Sequence, residues 1–388
     1  MEVGRYNNLT KKQPFTIPKQ NVLLIGKSKT ATFSALEAFA LESIYKNESI
    51  IFIGNAETIL KKIPKPRQKH VLFFSPALIP FALNILAKVP PPVQPLVAST
   101  LTDSLVKRGI TPFREYTFRT YFRYGIQTLL SVKGTTILSL KKLLTDSTYR
   151  TEIVGQLTDP VLKDFWNDFD LLEDKEQRVN IESTLSLLYD IMLEPLVRNC
   201  VFQTYNRLVL KDKIVLVSLK EAELGRDNVA ILRSLILSMV YAEGVQGLKT
   251  MLYVDQATDS LAPVLTGCPS IATLYTLQSL SQLQNPVFDS VLAFRTTAKD
   301  AKTLSPEMHL APGDIEPNKL GEEQAYISTA YREELGELIA VGDRAQKLTM
   351  QFPEYQDTGH EAEVLRRCAF MCTAPKEEIE KRLGRFFT

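Results

Sequence analysis

The most constraining feature of this sequence is a short apolar run that ends at a glycine and leads into a helix. Residues 21–25 form the run, Gly26 ends it, and residues 30–46 have helical composition. Two further apolar, β-rich runs follow at residues 49–53 and 70–74. Strand, helix and strand in this order predict a parallel βαβ unit with a right-handed crossover, because parallel strands need such a connection.

This alternation is interrupted and then resumes further along the chain. Prolines are dense between residues 75 and 97, which predicts a loop. Helical patterns then run to about residue 205, and strand signals return at residues 213–219, 250–254, 271–276 and 290–294. We therefore predict an α/β fold with a mostly parallel sheet that is flanked by helices and carries an all-helical insertion. The predicted segments are 1–102 and 206–345 for the two parts of the α/β domain, 103–205 for the insertion and 346–388 for a helical tail.

Composition narrows the class of protein. The apolar fraction of 45% and the charged fraction of 23% are ordinary globular values, and four cysteines are too few for a disulfide scaffold. No stretch reaches the ~18 uninterrupted apolar residues of a membrane span. Residues 1–20 have the composition of a polar lead-in without a signal-peptide core, so we expect a cytoplasmic protein without a membrane span.

The near-zero net charge hides an asymmetry along the chain. Residues 1–150 hold 22 basic and 8 acidic residues, whereas residues 151–388 hold 24 basic and 36 acidic ones. Such an asymmetry indicates either a polyanionic or acidic partner, or a basic half that packs against the acidic half of the same chain.

The segment after Gly26 occupies the place of a phosphate-binding loop but lacks its chemistry. The functional pattern is G-x-x-x-x-G-K-[ST], in which the lysine neutralises phosphate and the hydroxyl ligates Mg²⁺. In frame, Ala31 replaces the second glycine, Thr32 the lysine and Phe33 the hydroxyl residue, while Lys27, Lys29 and Thr30 lie inside the loop. This segment alone is also compatible with a plain strand–turn–helix.

A second motif of nucleotide-binding sites also lacks a residue that hydrolysis needs. Residues 251–254 form an apolar strand that ends at Asp255, as in the motif that holds the Mg²⁺-bound water. The neighbouring position, where a carboxylate would activate the attacking water, is Gln256, and an amide cannot act as the general base.

Several stretches outside these landmarks resemble one family in the correct order. They are residues 81–84, 138–146 with Tyr149 and Arg150, 157–160, Phe165 with Trp166, 195–199, 214–219, 224–228, 277–283, 293–295 and 299–301. Over residues 20–335 the chain resembles the motor domain of type IV secretion coupling proteins, within the FtsK–HerA group of DNA-pumping ATPases. This resemblance implies that the α/β fold is of the P-loop NTPase type (RecA/FtsK-type). The resemblance implies that Gln278 is a sensor of the terminal phosphate and that Arg295 is an interface residue, although both are compatible with purely structural roles.

The segment at residues 113–124 interleaves three arginines with six aromatic residues. Arg119 and Arg123 share a helix face, so Arg114, Arg119 and Arg123 are candidate DNA-binding residues. The alternative is a helix whose aromatic residues fill the core and whose arginines pair with acids, as Arg119 could with Glu115. No cluster with metal-ligand spacing is present, so no metal site is predicted.

Three hypotheses follow for the function. The first is a pseudo-ATPase related to conjugative DNA translocases that binds DNA or partner proteins in a DNA-transfer or DNA-processing assembly. The second is an active ATP-dependent translocase in which Lys27 or Lys29 substitutes for the lost lysine, and only this one needs ATP and Mg²⁺ as cofactors. The third is a structural subunit in a mixed ring with an intact paralogous ATPase. Candidate partners are therefore DNA, such a paralogue or secretion-system proteins, and an oligomer is compatible with each.

Overall fold

The structure is a computed structural model that describes residues 2–8, 11–16, 21–87, 89–106, 111–307, 324–329, 346–349 and 353–387. Its strands are β1 (Glu2–Asn8), β2 (Lys11–Thr16), β3 (Val22–Ile25), β4 (Ile50–Gly54), β5 (Val71–Phe74), β6 (Ile214–Ser218), β7 (Thr250–Val254), β8 (Ile271–Leu277), β9 (Ser290–Ala293), β10 (Gln324–Thr329) and β11 (Gln346–Thr349).

The described helices follow the same chain order. They are α1 (Lys29–Tyr45), α2 (Glu57–Lys61), α3 (Lys65–Gln68), α4 (Gln94–Val106), α5 (Pro112–Leu130), α6 (Ser139–Thr145), α7 (Ser147–Gly155), α8 (Pro160–Leu171), α9 (Asp174–Leu193), α10 (Pro195–Val201), α11 (Glu221–Leu224), α12 (Arg226–Gly244), α13 (Ala262–Gly267), α14 (Ala298–Glu307), α15 (Glu361–Cys372) and α16 (Lys376–Phe387). No described helix combines the length and the apolar character needed to cross a bilayer.

The chain divides into two compact units. The first comprises Met1–Val71, Leu210–Val217 and Gly247–Val364, and the second comprises Leu72–Val209, Ser218–Gln246 and Leu365–Thr388. Residues 308–323 and 330–345, which fall within the predicted 206–345 segment, lie outside the described residues.

The first unit is built on a sheet with a parallel centre. Its strands follow the order β2-β1-β11-β10-β9-β3-β8-β7-β4-β6. The pairs β9–β3, β3–β8, β8–β7 and β7–β4 are parallel. Strands β3, β4 and β7 are buried along their whole length, as expected for a sheet covered on both faces. The predicted α/β fold with a mostly parallel sheet is therefore confirmed.

The polar lead-in at residues 1–20 contains two strands that the sequence analysis did not predict. Strands β1 and β2 pair with each other antiparallel, and β1 also pairs with β11. The two strands carry mostly polar residues, so the apolar alternation that predicts a strand is absent from the sequence. Residues 17–20 of this segment lie outside the described residues.

Folding removes the charge asymmetry that the sequence shows from one half to the other. Counted over the sequence of each unit, the first has 22 basic and 23 acidic residues and the second has 24 and 21. The basic N-terminal segment Met1–Val71 folds with the acidic segment Gly247–Val364 in one unit. Of the two interpretations of the asymmetry, compensation within the protein is therefore favoured.

The second unit contains consecutive helices from α4 to α10. The helical segment begins at Gln94, within the proline-dense stretch predicted to be a loop, because Pro95 is compatible with the first turn of a helix. Trp166 of α8 lies at the centre of an aromatic cluster, with its ring edge-to-face against Phe165 and Phe169. Its indole N–H donates a 2.8 Å hydrogen bond to Thr128 Oγ1 on α5, and both residues are fully buried.

Replacing Trp166 by alanine should lower the free energy of unfolding by about 3–5 kcal/mol, because it opens a cavity and leaves the Thr128 hydroxyl without its partner. Leu171→Ala on the same helix is the matched control, since Leu171 is exposed and its loss should change stability by less than about 0.5 kcal/mol. Urea denaturation followed by circular dichroism measures both. Equal effects of the two substitutions would contradict the assigned packing.

Candidate functional site

The sequence-predicted nucleotide residues converge at the carboxyl edge of the parallel strands. Ile25, the last residue of β3, lies opposite Leu277 of β8 and Ala293 of β9. Gly26, Gln278 and Arg295 therefore follow three neighbouring strands at one edge of the sheet. Asp255 follows β7, whose Val254 lies opposite Tyr275 of β8. This edge is where open α/β sheets bind ligands.

The backbone immediately after β3 is bonded to neighbouring strands. The N–H of Gly26 donates to the carbonyl of Leu277 at 3.1 Å, and the N–H of Lys27 donates to the carbonyl of Arg295 at 2.7 Å. A Cβ atom at Gly26 would lie 2.8 Å from Cβ of Phe294, so only glycine fits at this position. These amides are consequently not directed toward a bound phosphate.

Helix α1 begins too early for a phosphate loop of the usual length. The pattern places four residues between its two glycines, whereas α1 already starts at Lys29, three residues after Gly26. Ser28 caps the helix, and its Oγ accepts a hydrogen bond from the Ala31 N–H at 3.3 Å. The Ala31 N–H, at the position of the second glycine, is therefore already hydrogen-bonded within the protein.

The two positions that normally carry the lysine and the metal-binding hydroxyl are turned inward. Thr32 is fully buried, and its Oγ1 donates to the carbonyls of Ser28 and Lys29 at 3.2 and 3.3 Å. The ring of Phe33 packs edge-to-face on Phe52 of β4, with centroids 6.3 Å apart. Neither side chain offers a group to a triphosphate or a metal ion.

The cationic groups of this segment remain at the surface. Lys27, Lys29 and Thr30 are exposed, and Ala31 is half-buried. Within the described part of the chain, no acidic side chain forms an ion pair with either lysine. Both ammonium groups are therefore accessible to solvent at this edge of the sheet.

The Asp255 site is held together by a residue that the sequence patterns did not single out. Thr276 Oγ1 donates to Asp255 Oδ1 at 2.8 Å and accepts from the Gln256 N–H at 2.7 Å. Gln256 has a positive φ of 51°, a conformation uncommon outside glycine. Gly54 permits this arrangement, since a Cβ there would lie 2.6 Å from Cβ of Asp255. The sequence signal that could have pointed to Thr276 is a hydroxyl residue near the end of an otherwise mostly apolar strand.

A buried carboxylate that was not among the predicted site residues joins the loops after β8 and β9. Asp300 is buried, and its Oδ1 accepts from Ser279 Oγ and from the Leu280 N–H, both at 3.1 Å. Its Oδ2 accepts from Thr297 Oγ1 at 2.8 Å. The backbone N–H of Gln278 donates to Gln282 Oε1 at 2.6 Å, so the position resembling a sensor lies in a loop fixed by internal hydrogen bonds.

The three DNA-binding candidates on α5 have different surroundings. Arg114 forms an ion pair with Glu182 at 3.3 Å. Arg119 pairs with Glu115 at 2.7 Å and with Asp103, and the hydrogen bond that Arg119 Nε donates to Glu115 is the main cause that raises the pKa of Arg119. Arg123 is exposed, and among the described residues no acid pairs with it.

Two aromatic residues accompany Arg123 on the exposed face of α5. Phe113 is 92% exposed and Tyr116 is 78% exposed. The helical spacing of Phe113, Tyr116 and Arg123 places the three residues on one side of α5. Phe118 and Phe122 instead stack on each other in the core, with centroids 5.0 Å apart.

Comparison with solved structures identifies the fold. The bacterial conjugative coupling protein TrwBΔN70 in its unbound form superposes with a TM-score of 0.59 at 13% identity, covering 92% of both chains. The plasmid coupling protein TrwB in complex with the ATP analogue ADPNP gives a TM-score of 0.60 at 13% identity, over 89% of this chain and 88% of that one. VirB4 of Thermoanaerobacter pseudethanolicus gives 0.58 at 12% identity, over 93% and 98%.

The chain has the P-loop-type fold of conjugative coupling ATPases. The predicted resemblance is therefore confirmed at the level of the fold. No protein-family model matches the sequence, and no curated protein matches it either. At 12–14% identity the likeness covers the architecture alone, so the site has to be judged from its own residues.

A fluorescent ATP analogue, titrated in the presence of Mg²⁺, should show no saturable binding at concentrations below about 1 mM. ATP should release no phosphate, because the in-frame positions lack the lysine, the metal-binding hydroxyl and the general base. Lys27→Ala and Lys29→Ala should leave both measurements unchanged, and Lys61→Ala on α2 is the control for loss of one positive charge. Turnover that disappears in Lys27→Ala or Lys29→Ala and survives in Lys61→Ala would show that an atypical loop is active.

Proposed function

We propose that this protein is a non-hydrolysing relative of the conjugative DNA-transfer ATPases that contributes single-stranded DNA binding to such an assembly. The observation that carries the loss of hydrolysis is the buried Thr32 hydroxyl, which is bonded inside its own helix at the lysine position. In this proposal an intact paralogous ATPase or another secretion-system protein supplies the energy of transfer.

The expected energetic and kinetic costs of the missing groups favour a binding protein over an enzyme. Loss of a charge-assisted hydrogen bond to phosphate costs about 1.5–3 kcal/mol, and loss of the general base alone lowers a rate by about 10²–10⁴-fold. Phe33 adds a ring at the position of the metal-binding hydroxyl. Together these changes leave no side chain in the in-frame positions that could neutralise the transferred phosphoryl group.

An active translocase is the second candidate, and one observation favours it. Lys27 and Lys29 are exposed beside the N-terminus of α1, where the helix dipole attracts anions. Weak attraction of phosphate to this edge is compatible with our proposal. Hydrolysis additionally requires a base at position 256, where an amide is present.

The DNA-binding part of the proposal rests on the exposed face of α5. In this proposal the exposed rings of Phe113 and Tyr116 are surfaces on which bases stack. Stacking on Phe113 and Tyr116 requires unpaired bases, which favours single-stranded over duplex DNA. Arg123 then contacts the backbone phosphates, whereas Arg114 and Arg119 are engaged by acids.

Substituting alanine for both Phe113 and Tyr116 should weaken binding of a labelled oligothymidine by about 10-fold or more, because each stacked base contributes about 1–3 kcal/mol. Arg123→Gln should weaken binding of the oligonucleotide. It should also reduce the slope of log affinity against log salt concentration by about 1, the value expected for the loss of one phosphate contact. Fluorescence anisotropy over a range of salt concentrations measures both effects.

Phe370→Ala is the matched control, since Phe370 is 90% exposed on α15 and lies outside the proposed face. Its affinity for the oligonucleotide should equal that of the unmodified protein. The DNA-binding proposal fails if the Phe113 and Tyr116 double variant binds as tightly as Phe370→Ala, or if duplex DNA binds as well as the single strand.

A further inference from the structure

One cavity of the second unit has a single carboxyl group in a mostly apolar wall. Its volume is about 160 Å³, and it is lined by the segment after β5, by α4, by the segment before β6 and by the end of α12, all of which belong to the second unit. The apolar lining consists of Ile85, Val89, Val97, Leu208, Val209 and Met239. Glu243 is the one ionisable residue among the described residues that line the cavity.

The Glu243 carboxyl group has no compensating partner in the part of the chain that the structure describes. No basic side chain forms an ion pair with it there, and no donor gives it a hydrogen bond. The residue is half-buried, and this burial raises the pKa of Glu243 to about 7. When ionised, the carboxylate is therefore a partly desolvated negative charge, and a cation beside it would be stabilised.

The position of Glu243 in its helix also favours a cation. Glu243 is the last but one residue of α12, which ends at Gly244, and no basic residue lies in the last turn of this helix. The C-terminus of a helix carries a partial negative charge, so a carboxylate there is unfavourable and a cation is favourable. The helix end and the carboxylate thus attract the same kind of ligand for two independent reasons.

The size and lining of the cavity select the body of this cation. An apolar protein cavity of about 150 Å³ holds one benzene molecule, and the present cavity is of that size. Met239 lies one turn before Glu243 on the same face of α12, and its sulfur accepts a 3.0 Å hydrogen bond from Asn206 Nδ2. Thioethers make favourable contacts with aromatic rings, so an aromatic ring suits this wall.

A metal ion does not suit the same cavity. Hard cations such as Ca²⁺ take six or more oxygen ligands, whereas the lining described above supplies one carboxylate. The described residues also contain no group of three or more His, Cys, Asp or Glu side chains that could hold a metal.

We propose that this cavity binds a small aromatic ammonium ion, with the ring in the apolar part and the ammonium group paired with the Glu243 carboxylate. A charge-assisted hydrogen bond of this kind compensates the desolvated carboxylate, and the positive charge lies at the C-terminal end of α12, where the helix dipole stabilises it. The proposal is independent of the nucleotide site and of DNA binding.

The test is isothermal titration calorimetry of the full-length protein with benzylammonium in an amine-free buffer at about pH 8, where Glu243 is ionised. We expect one ligand per chain with a Kd below about 1 mM. Benzyl alcohol, which has the same shape without the charge, should bind at least about 10-fold more weakly. At about pH 5.5 Glu243 is protonated, so the affinity for benzylammonium should fall by more than about 10-fold.

Two variants separate the charge from the shape of the site. Glu243→Gln should lower the affinity for benzylammonium by about 10–100-fold, the range for the loss of a hydrogen bond to a charged group, and should leave that for benzyl alcohol unchanged. Ala242→Leu adds a larger side chain to the lining and keeps the carboxylate, so it should weaken binding of both ligands.

Two further variants are controls that should not change the affinity for benzylammonium. Glu377→Gln removes an exposed carboxylate on α16, outside the cavity. Lys88→Gln removes a basic residue that is adjacent in sequence to the lining residue Val89 and lies outside the described residues.

No saturable binding of benzylammonium below about 10 mM would overturn the proposal, as would equal affinities for benzylammonium and benzyl alcohol. It is also overturned if Glu243→Gln binds benzylammonium as tightly as Glu377→Gln does. A gain of more than about 10-fold in Lys88→Gln would show that Lys88 already neutralises the carboxylate, and would overturn it as well. Circular dichroism identifies any variant that does not fold, and the comparison of the two ligands on the unmodified protein then decides the outcome.

Discussion

The hydrogen bonds of the first turn of α1 determine how this P-loop-type fold is used. Ser28 caps the helix, and Thr32 donates back to the carbonyls of Ser28 and Lys29. A phosphate-binding loop needs amides and a cation that point outward at this place. Here the same backbone is satisfied internally, and the helix begins within the residues that should surround the phosphate.

In our proposal, the remainder of the sheet edge has a structural role. Asp255 is held by Thr276, the Gly26 and Lys27 amides are bonded to neighbouring strands, and Asp300 links the loops after β8 and β9. Buried polar groups need such partners, because an unsatisfied one costs about 1–3 kcal/mol. The protein thus retains the scaffold that presents the edge while internal hydrogen bonds occupy its polar groups.

The sequence predicted the parallel centre of the sheet well, because its buried strands are short, apolar and separated by helical patterns. β3, β7, β8 and β9 lie within one or two residues of the predicted runs. The polar strands β1 and β2 were missed, since strands of this composition carry no hydrophobic period. The charge asymmetry left two interpretations open, because sequence halves are not folded units and the sequence does not show that Met1–Val71 joins Gly247–Val364 in one unit.

The candidate site was predictable in position but not in detail. Motif order placed Gly26, Asp255 and Gln278 at one edge, which the strand registers bring together. Sequence spacing indicated the pair of Glu115 and Arg119 on α5, whereas the pairs of Arg114 with Glu182 of α9 and of Arg119 with Asp103 of α4 depend on contacts between helices that spacing does not reveal. Thr276 and Asp300 were missed because each binds groups distant in the chain.

The most direct measurement of the central claim is a crystal structure of the protein grown with excess Mg²⁺ and a non-hydrolysable ATP analogue. The account predicts no triphosphate density at the carboxyl edge of β3, with Thr32 Oγ1 still bonded to the carbonyl of Ser28. Ordered nucleotide and metal density between Lys29 and Asp255, with α1 starting later than Lys29, would contradict it.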